Sequence, residues 1–153
     1  MINLHISETL IEVYTSDAPL QVLLRNENFF IDAAQKALHF SNRDQNAELT
    51  LVLTDDAQLH ELNREYREVD GPTDVLSFPA GETDLDTGNL YLGDILISIP
   101  RALAQAQAEG QPIEAELRLL VVHGVLHLLG FDHSNEQEKA AMWAAQTEIL
   151  AHL

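Results

Sequence analysis

Between Leu117 and Leu129 almost every position is apolar, and after Arg118 the only polar breaks are His123 and His127. On a helix a spacing of four puts both histidines on one face, one turn apart. A segment apolar on nearly all sides predicts a buried helix. Pro112 opens it, and Gly130 stands where helices end in a left-handed residue, which glycine adopts without a Cβ clash.

The rest of the chain is patterned around that segment. Ile2–Ile6 and Leu10–Tyr14 alternate or carry β-branched residues, predicting two strands separated by Ser7-Glu8-Thr9. Asp17-Ala18-Pro19 breaks the pattern. Phe29, Phe30, Ala33, Ala34 and Ala37 recur at helical spacing within Asn28–Leu38, Ser41–Asn46 is a polar loop, and Glu48–Leu53 is a strand. Thr54 is placed to cap a helix, with Asp55 and Asp56 suited to its first turn and Leu59, Leu62 and Tyr66 as its buried stripe. Arg64 and Arg67 lie near its end, and Asp70-Gly71-Pro72 stops it.

Val75–Phe78 is a short apolar strand, Pro79–Asn89 an acidic loop, and Leu90–Ile97 a strand interrupted by Gly93-Asp94. Ser98 caps a further helix with Pro100 in its first turn and Gly110 at its end. Ser134 and Asn135 can cap a last helix to about Leu150, with Met142, Trp143 and Ile149 as core contacts. Strands and helices mix without strict alternation. The expectation is an α+β fold: a single domain over residues 1–153, a mixed sheet of four or five strands packed with helices, and the histidine helix buried at its centre.

Composition narrows the chemistry. The chain has 153 residues, 46% of them hydrophobic and 22% charged, as in ordinary globular proteins. It has no cysteine, so a metal would have to use histidine and carboxylate. No secretory signal and no membrane span is apparent, which predicts a cytoplasmic protein. The formal net charge is -17. Such a charge repels phosphate backbones and counts against a protein that coats nucleic acid. It still permits a nuclease, because a few arginines at one cleft can set the local field.

His133 follows the Gly130 turn and can face His123 and His127. Three imidazoles with a fourth position open form the ligand set of a catalytic rather than a structural zinc site. A lone histidine in an apolar helix is usually a core residue satisfied by a carbonyl. But a buried unpaired polar group costs about 1–3 kcal/mol, and two on one face with a third past the turn point to a metal. The spacing His-x-x-x-His-x-x-Gly-x-x-His is similar to the zinc helix of metzincin peptidases, with one difference. Those enzymes carry a glutamate base after the first histidine, and here that position is Gly124. Asp94 after Gly93 reads either as a strand bulge or as a carboxylate near the metal. Asp132 either orients a ligand or caps the turn.

The wording His-Gly-x-Leu-His-Leu-Leu-Gly-Phe-Asp-His resembles the YbeY-type family of bacterial rRNA-maturation endoribonucleases. Two further blocks carry the resemblance: Asn63-x-x-Tyr66-Arg67 with Pro72–Pro79, and Leu92-Gly93-Asp94-Ile95-x-Ile97-Ser98. Met142 and Glu148 fit the family's closing helix, so the likeness covers about Leu49 to Leu150. After Arg67 the chain has Glu68-Val69-Asp70-Gly71 where the family usually has a small residue and then a basic or polar pair. That makes the surroundings of Arg67 more acidic.

The resemblance implies a metal-dependent endoribonuclease specific for single strands, acting on precursors of ribosomal RNA and in ribosome quality control. His123, His127 and His133 would hold one ion, zinc by expectation, and Arg67 would be the functional arginine. Ribosomal proteins or a ribosome-associated GTPase are the implied partners, with no membrane and no DNA. Zinc would activate a water and polarise a phosphoryl oxygen while Arg67 clamps the phosphate. Asp74 and Asp94 are candidate bases; metal hydroxide alone or attack by the RNA 2′-hydroxyl are the other routes. Two rivals stand beside this reading: a peptidase-like metal hydrolase, and a non-catalytic ribosome-assembly factor with a structural metal.

Overall fold

The computed structural model describes residues 1–43, 46–68, 71 and 73–153. The expected loop at Ser41–Asn46 and the helix stop at Asp70-Gly71-Pro72 therefore lie partly outside the described residues. Four strands, β1 (Ile2–Ile6), β2 (Ala47–Thr54), β3 (Val75–Thr83) and β4 (Leu90–Ser98), form one mixed sheet in the order β1-β2-β4-β3. β1, β2 and β4 run parallel, and β3 is antiparallel on the edge beside β4. The expected α+β class is what the chain adopts, and of the four or five strands expected the sheet has four.

Seven helices complete the described elements: α1 (Glu8–Glu12), α2 (Ala18–Leu24), α3 (Glu27–Phe40), α4 (Asp56–Arg67), α5 (Ile99–Glu109), α6 (Ile113–Leu128) and α7 (Glu136–Ala151). β2 alternates between buried and half-buried residues, as one face of a sheet over a core requires. Leu49, Leu51 and Leu53 join Ile95 and Ile97 of β4 in a core filled by α3 and α6. On the opposite face α4 adds Leu59 to a smaller cluster with Leu76 and Leu96. Val121, Val122, Val125 and Leu126 of α6 are fully buried, so the histidine helix is central as its composition requires.

Several local expectations are corrected. Leu10–Tyr14 is not a strand: the Ser7 hydroxyl accepts from the Leu10 N–H and starts α1, which buries Leu10 and Ile11. In so short a run the cap and the core contacts outweigh β-propensity. Asp17-Ala18-Pro19 begins α2, with Asp17 as its cap and proline in the first turn. Asp55, not Thr54, caps α4 through the Gln58 N–H. β3 runs on through Thr83 into the expected loop.

Tyr66 and Trp143 are not core residues, being 64% and 53% exposed. Asn63 and Leu59 take the buried side of α4, while Met142, Ala145, Gln146 and Ile149 take that of α7. The break at Gly93 is a bulge. Tyr91 pairs with Glu48 and Gly93 with Leu49, leaving Leu92 between them. Gly93 has φ 140°, and a Cβ there would stand 2.1 Å from the Phe78 carbonyl oxygen, so only glycine fits.

Candidate metal centre

His123 and His127 project from the last two turns of α6. Gly130, at φ 101°, then reverses the chain, and the Phe131 N–H donates to the Leu126 carbonyl. His133 thereby returns over the helix end. Its own N–H donates to Asp132 Oδ1 at 2.7 Å, so Asp132 caps this turn. The three ring nitrogens lie within 4.8 Å of one another. His123 and His127 approach closest, with 3.0 Å between their Nε2 atoms. Tetrahedral ligands at zinc–nitrogen bonds of about 2.0–2.1 Å stand roughly 3.3 Å apart, so these rings fit one ion with little movement.

The surroundings of His123 and His127 favour the neutral imidazole, the form that ligates. Burial is the main cause holding His123 below the usual histidine range; His133 adds to it, while Gln146 and Asp74 oppose it. Burial and then His123 and His133 do the same for His127. The Gln146 side-chain oxygen lies 3.0 Å from His123 Nδ1. That carbonyl accepts, so Nδ1 carries the proton and Nε2 turns its lone pair to the other rings. Sequence reasoning missed Gln146. Its signal is a polar residue on the buried stripe of α7, four after Met142 and three before Ile149.

β3 supplies the opposite wall. Val75, Ser77 and Pro79 face α6, and together with Arg67, Thr73, Asp74, Asp132 and the three histidines they line a cleft of about 430 Å³. Arg67 reaches it from the last turn of α4. There Glu68, left-handed at φ 58°, ends the helix, and Asn63 Nδ2 donates to the Gly71 carbonyl at 2.9 Å. Asp74 is held at one oxygen by Gln105 Nε2 at 3.1 Å. The structure thus brings Arg67 and Asp74 to the histidines. It keeps Asp94 away: Tyr91 donates to Asp94 Oδ1, and Thr50 bonds the Tyr91 hydroxyl at 2.7 Å, on the sheet face opposite α6.

Gly124 explains the missing glutamate. A Cβ there would lie 2.6 Å from Ile95 Cγ2, and Ser77 Oγ donates to the Gly124 carbonyl at 3.2 Å. The helix backbone is pressed onto the sheet at the position where a peptidase base would project. A glutamate would drive into buried Ile95 instead of into the cleft.

Fold and cleft together define a class: an α+β protein with a three-histidine site able to hold one metal ion, open to solvent beside an arginine. The family model for endoribonuclease YbeY matches residues 13–153, a longer span than the motif blocks alone cover. Endoribonuclease YbeY of Desulfitobacterium hafniense is 47% identical over 124 residues, covering 77% of this chain and 79% of that protein. Its counterpart from Pelotomaculum thermopropionicum is 46% identical over 79% of this chain and 82% of its own length. A Thermotoga maritima protein solved in solution shares the fold, with a TM-score of 0.60 at 24% identity over 98% of this chain and 87% of that one. The chain belongs to the YbeY endoribonuclease family. No helix among the described residues is long and apolar enough to cross a membrane.

Proposed function

We propose that this chain is a zinc-dependent endoribonuclease of single-stranded RNA, acting in the cytoplasm on ribosomal RNA precursors. The observation that carries the reading is the meeting of His123, His127 and His133 with Arg67 in one open cleft. His123, His127 and His133 would hold the ion through ring nitrogens, and a bound zinc supplies Lewis acidity toward water and a phosphoryl oxygen.

The remaining work belongs to the chain. Arg67 presents a fixed fork of donors to the non-bridging phosphate oxygens and offsets the charge that develops there. Asp74, tethered at Oδ2, keeps its other oxygen available to take a proton within the cleft. Gln146 holds His123 in one tautomer. The family resemblance supports the ribosomal role and, with it, ribosomal-protein or GTPase partners that would add RNA affinity to an acidic surface.

The rivals gain nothing from the geometry. A peptidase base has no room at Gly124, and no fourth protein ligand joins the three histidines among the described residues. The test is cleavage of a single-stranded ribosomal RNA fragment by zinc-loaded protein beside His127→Ala and Arg67→Ala. Loss of cleavage with His127→Ala is expected, and a loss on the order of a hundredfold or more with Arg67→Ala, which removes one preorganised donor. Equal cleavage in all three would point to a contaminant and sink the proposal.

A further inference from the structure

A second recess adjoins the histidine cup on its α7 side. It is about 260 Å³ and is walled by His123 and His133 together with Lys139, Met142, Trp143 and Gln146 of α7. It shares two histidines with the cleft, so a strand lying across the cup would meet it next. Trp143 is the chain's single tryptophan and is half-exposed, while its neighbour Met142 is buried. Lys139 precedes Trp143 by four residues, on the same side of α7.

We propose that this recess is a nucleobase subsite: Trp143 offers a stacking face to one unpaired base, and Lys139 takes the adjoining phosphate. The proposal rests on the endoribonuclease reading and deepens it. Three features favour a base over other occupants. The volume lies below the roughly 300 Å³ at which pockets for drug-sized ligands begin, and suits one planar group. Its walls combine an aromatic face, a thioether and a single cation, the combination that holds single strands. And a chain of net charge -17 gains little from phosphate attraction, so stacking is the route to RNA affinity that its charge does not oppose. Stacking also selects unpaired bases, because pairing and helical stacking cover their faces in a duplex.

Emission from the single tryptophan reports this site alone. Zinc-loaded full-length protein is titrated with a short single-stranded RNA carrying phosphorothioate linkages, which resist cutting. Trp143 emission is followed in one sample, and the anisotropy of end-labelled RNA in another. Quenching should saturate at the midpoint seen by anisotropy, and duplex RNA should leave the emission unmoved. Trp143→Ala should weaken binding by about tenfold and Trp143→Phe by much less. Lys139→Gln should reduce the salt slope by about 0.7, one phosphate contact on a single strand. RNA binding with unmoved emission, or full affinity in a folded Trp143→Ala, overturns the subsite and leaves the endoribonuclease reading standing. Flat anisotropy together with no cleavage of the unmodified ribosomal RNA fragment overturns both.

Discussion

Replacing Gly124 by alanine should destabilise the fold even though it improves the helix. Within a helix alanine is favoured over glycine by about 0.8–1.0 kcal/mol. Against that, the new Cβ would stand 2.6 Å from Ile95 Cγ2 and 3.3 Å from its Cδ1. Ile95 is fully buried and β-branched, so its methyl cannot swing clear without leaving its rotamer or striking a neighbour. Overpacking of this kind costs about 1–3 kcal/mol. A retreat of α6 would stretch the Ser77–Gly124 hydrogen bond of 3.2 Å and shift both helical histidines.

Packing is the larger effect, leaving a net loss of about 1 kcal/mol, or about 2–4 °C in Tm for a chain of this size. Urea unfolding of the metal-free protein is the assay, since a bound ion adds its own stabilisation. Ile95→Ala alone should cost about 2–5 kcal/mol. In the double variant the alanine methyl fills part of the vacated space, so the pair should be about 1 kcal/mol more stable than the sum of the singles. If Gly124→Ala matches wild type, or gains the roughly 1 kcal/mol that propensity alone would give, the reasoning fails.

Two further outcomes concern a residue beside the histidines and an ion pair at the start of α4. Gln146→Ala should weaken zinc binding about 10- to 100-fold in competition with a chelator, while Gln146→Glu keeps an acceptor at His123 Nδ1 and retains affinity; unchanged affinity in the alanine variant would show that the ring is oriented without it. The Arg101 guanidinium hydrogen-bonded to Asp56 holds that carboxyl below the usual aspartate range. A depressed carboxyl stabilises the fold above its unfolded pKa, and the contribution is lost as pH falls through the folded value. Asp56→Asn should thus cost about 1 kcal/mol or less at neutral pH, the pair being 36% and 38% exposed. The gap between variant and wild type should close in urea titrations taken well below the ordinary aspartate value of about 3.9, and a gap that widens there would refute the assignment.

The sequence by itself determined the features written within a turn or two of chain. The unbroken apolar run of α6, the proline and glycine at its ends, and the caps at Ser98 and Asn135 are local, and so is the placing of three histidines within eleven residues. A spacing of four and a left-handed glycine are enough to bring those rings together, whatever the rest of the chain does. The family blocks singled out Arg67 and Asp74, but no local rule brings them to the histidines.

Only the tertiary structure decided the rest. Gln146 meets His123 across 23 residues of chain, Gln105 meets Asp74 across 31, and Ser77 meets Gly124 across 47. Such contacts depend on which helix face docks and on the register of the antiparallel edge strand, and neither leaves a periodic trace. The same cause explains the misread elements. Leu10–Tyr14 is too short for its period to separate helix from strand, and Tyr66, Trp143 and Asp94 have sides assigned by packing rather than by composition. Gly124 joins the two levels. Its identity is visible in the motif, but its reason is the side chain of Ile95 on a strand 29 residues earlier in the chain.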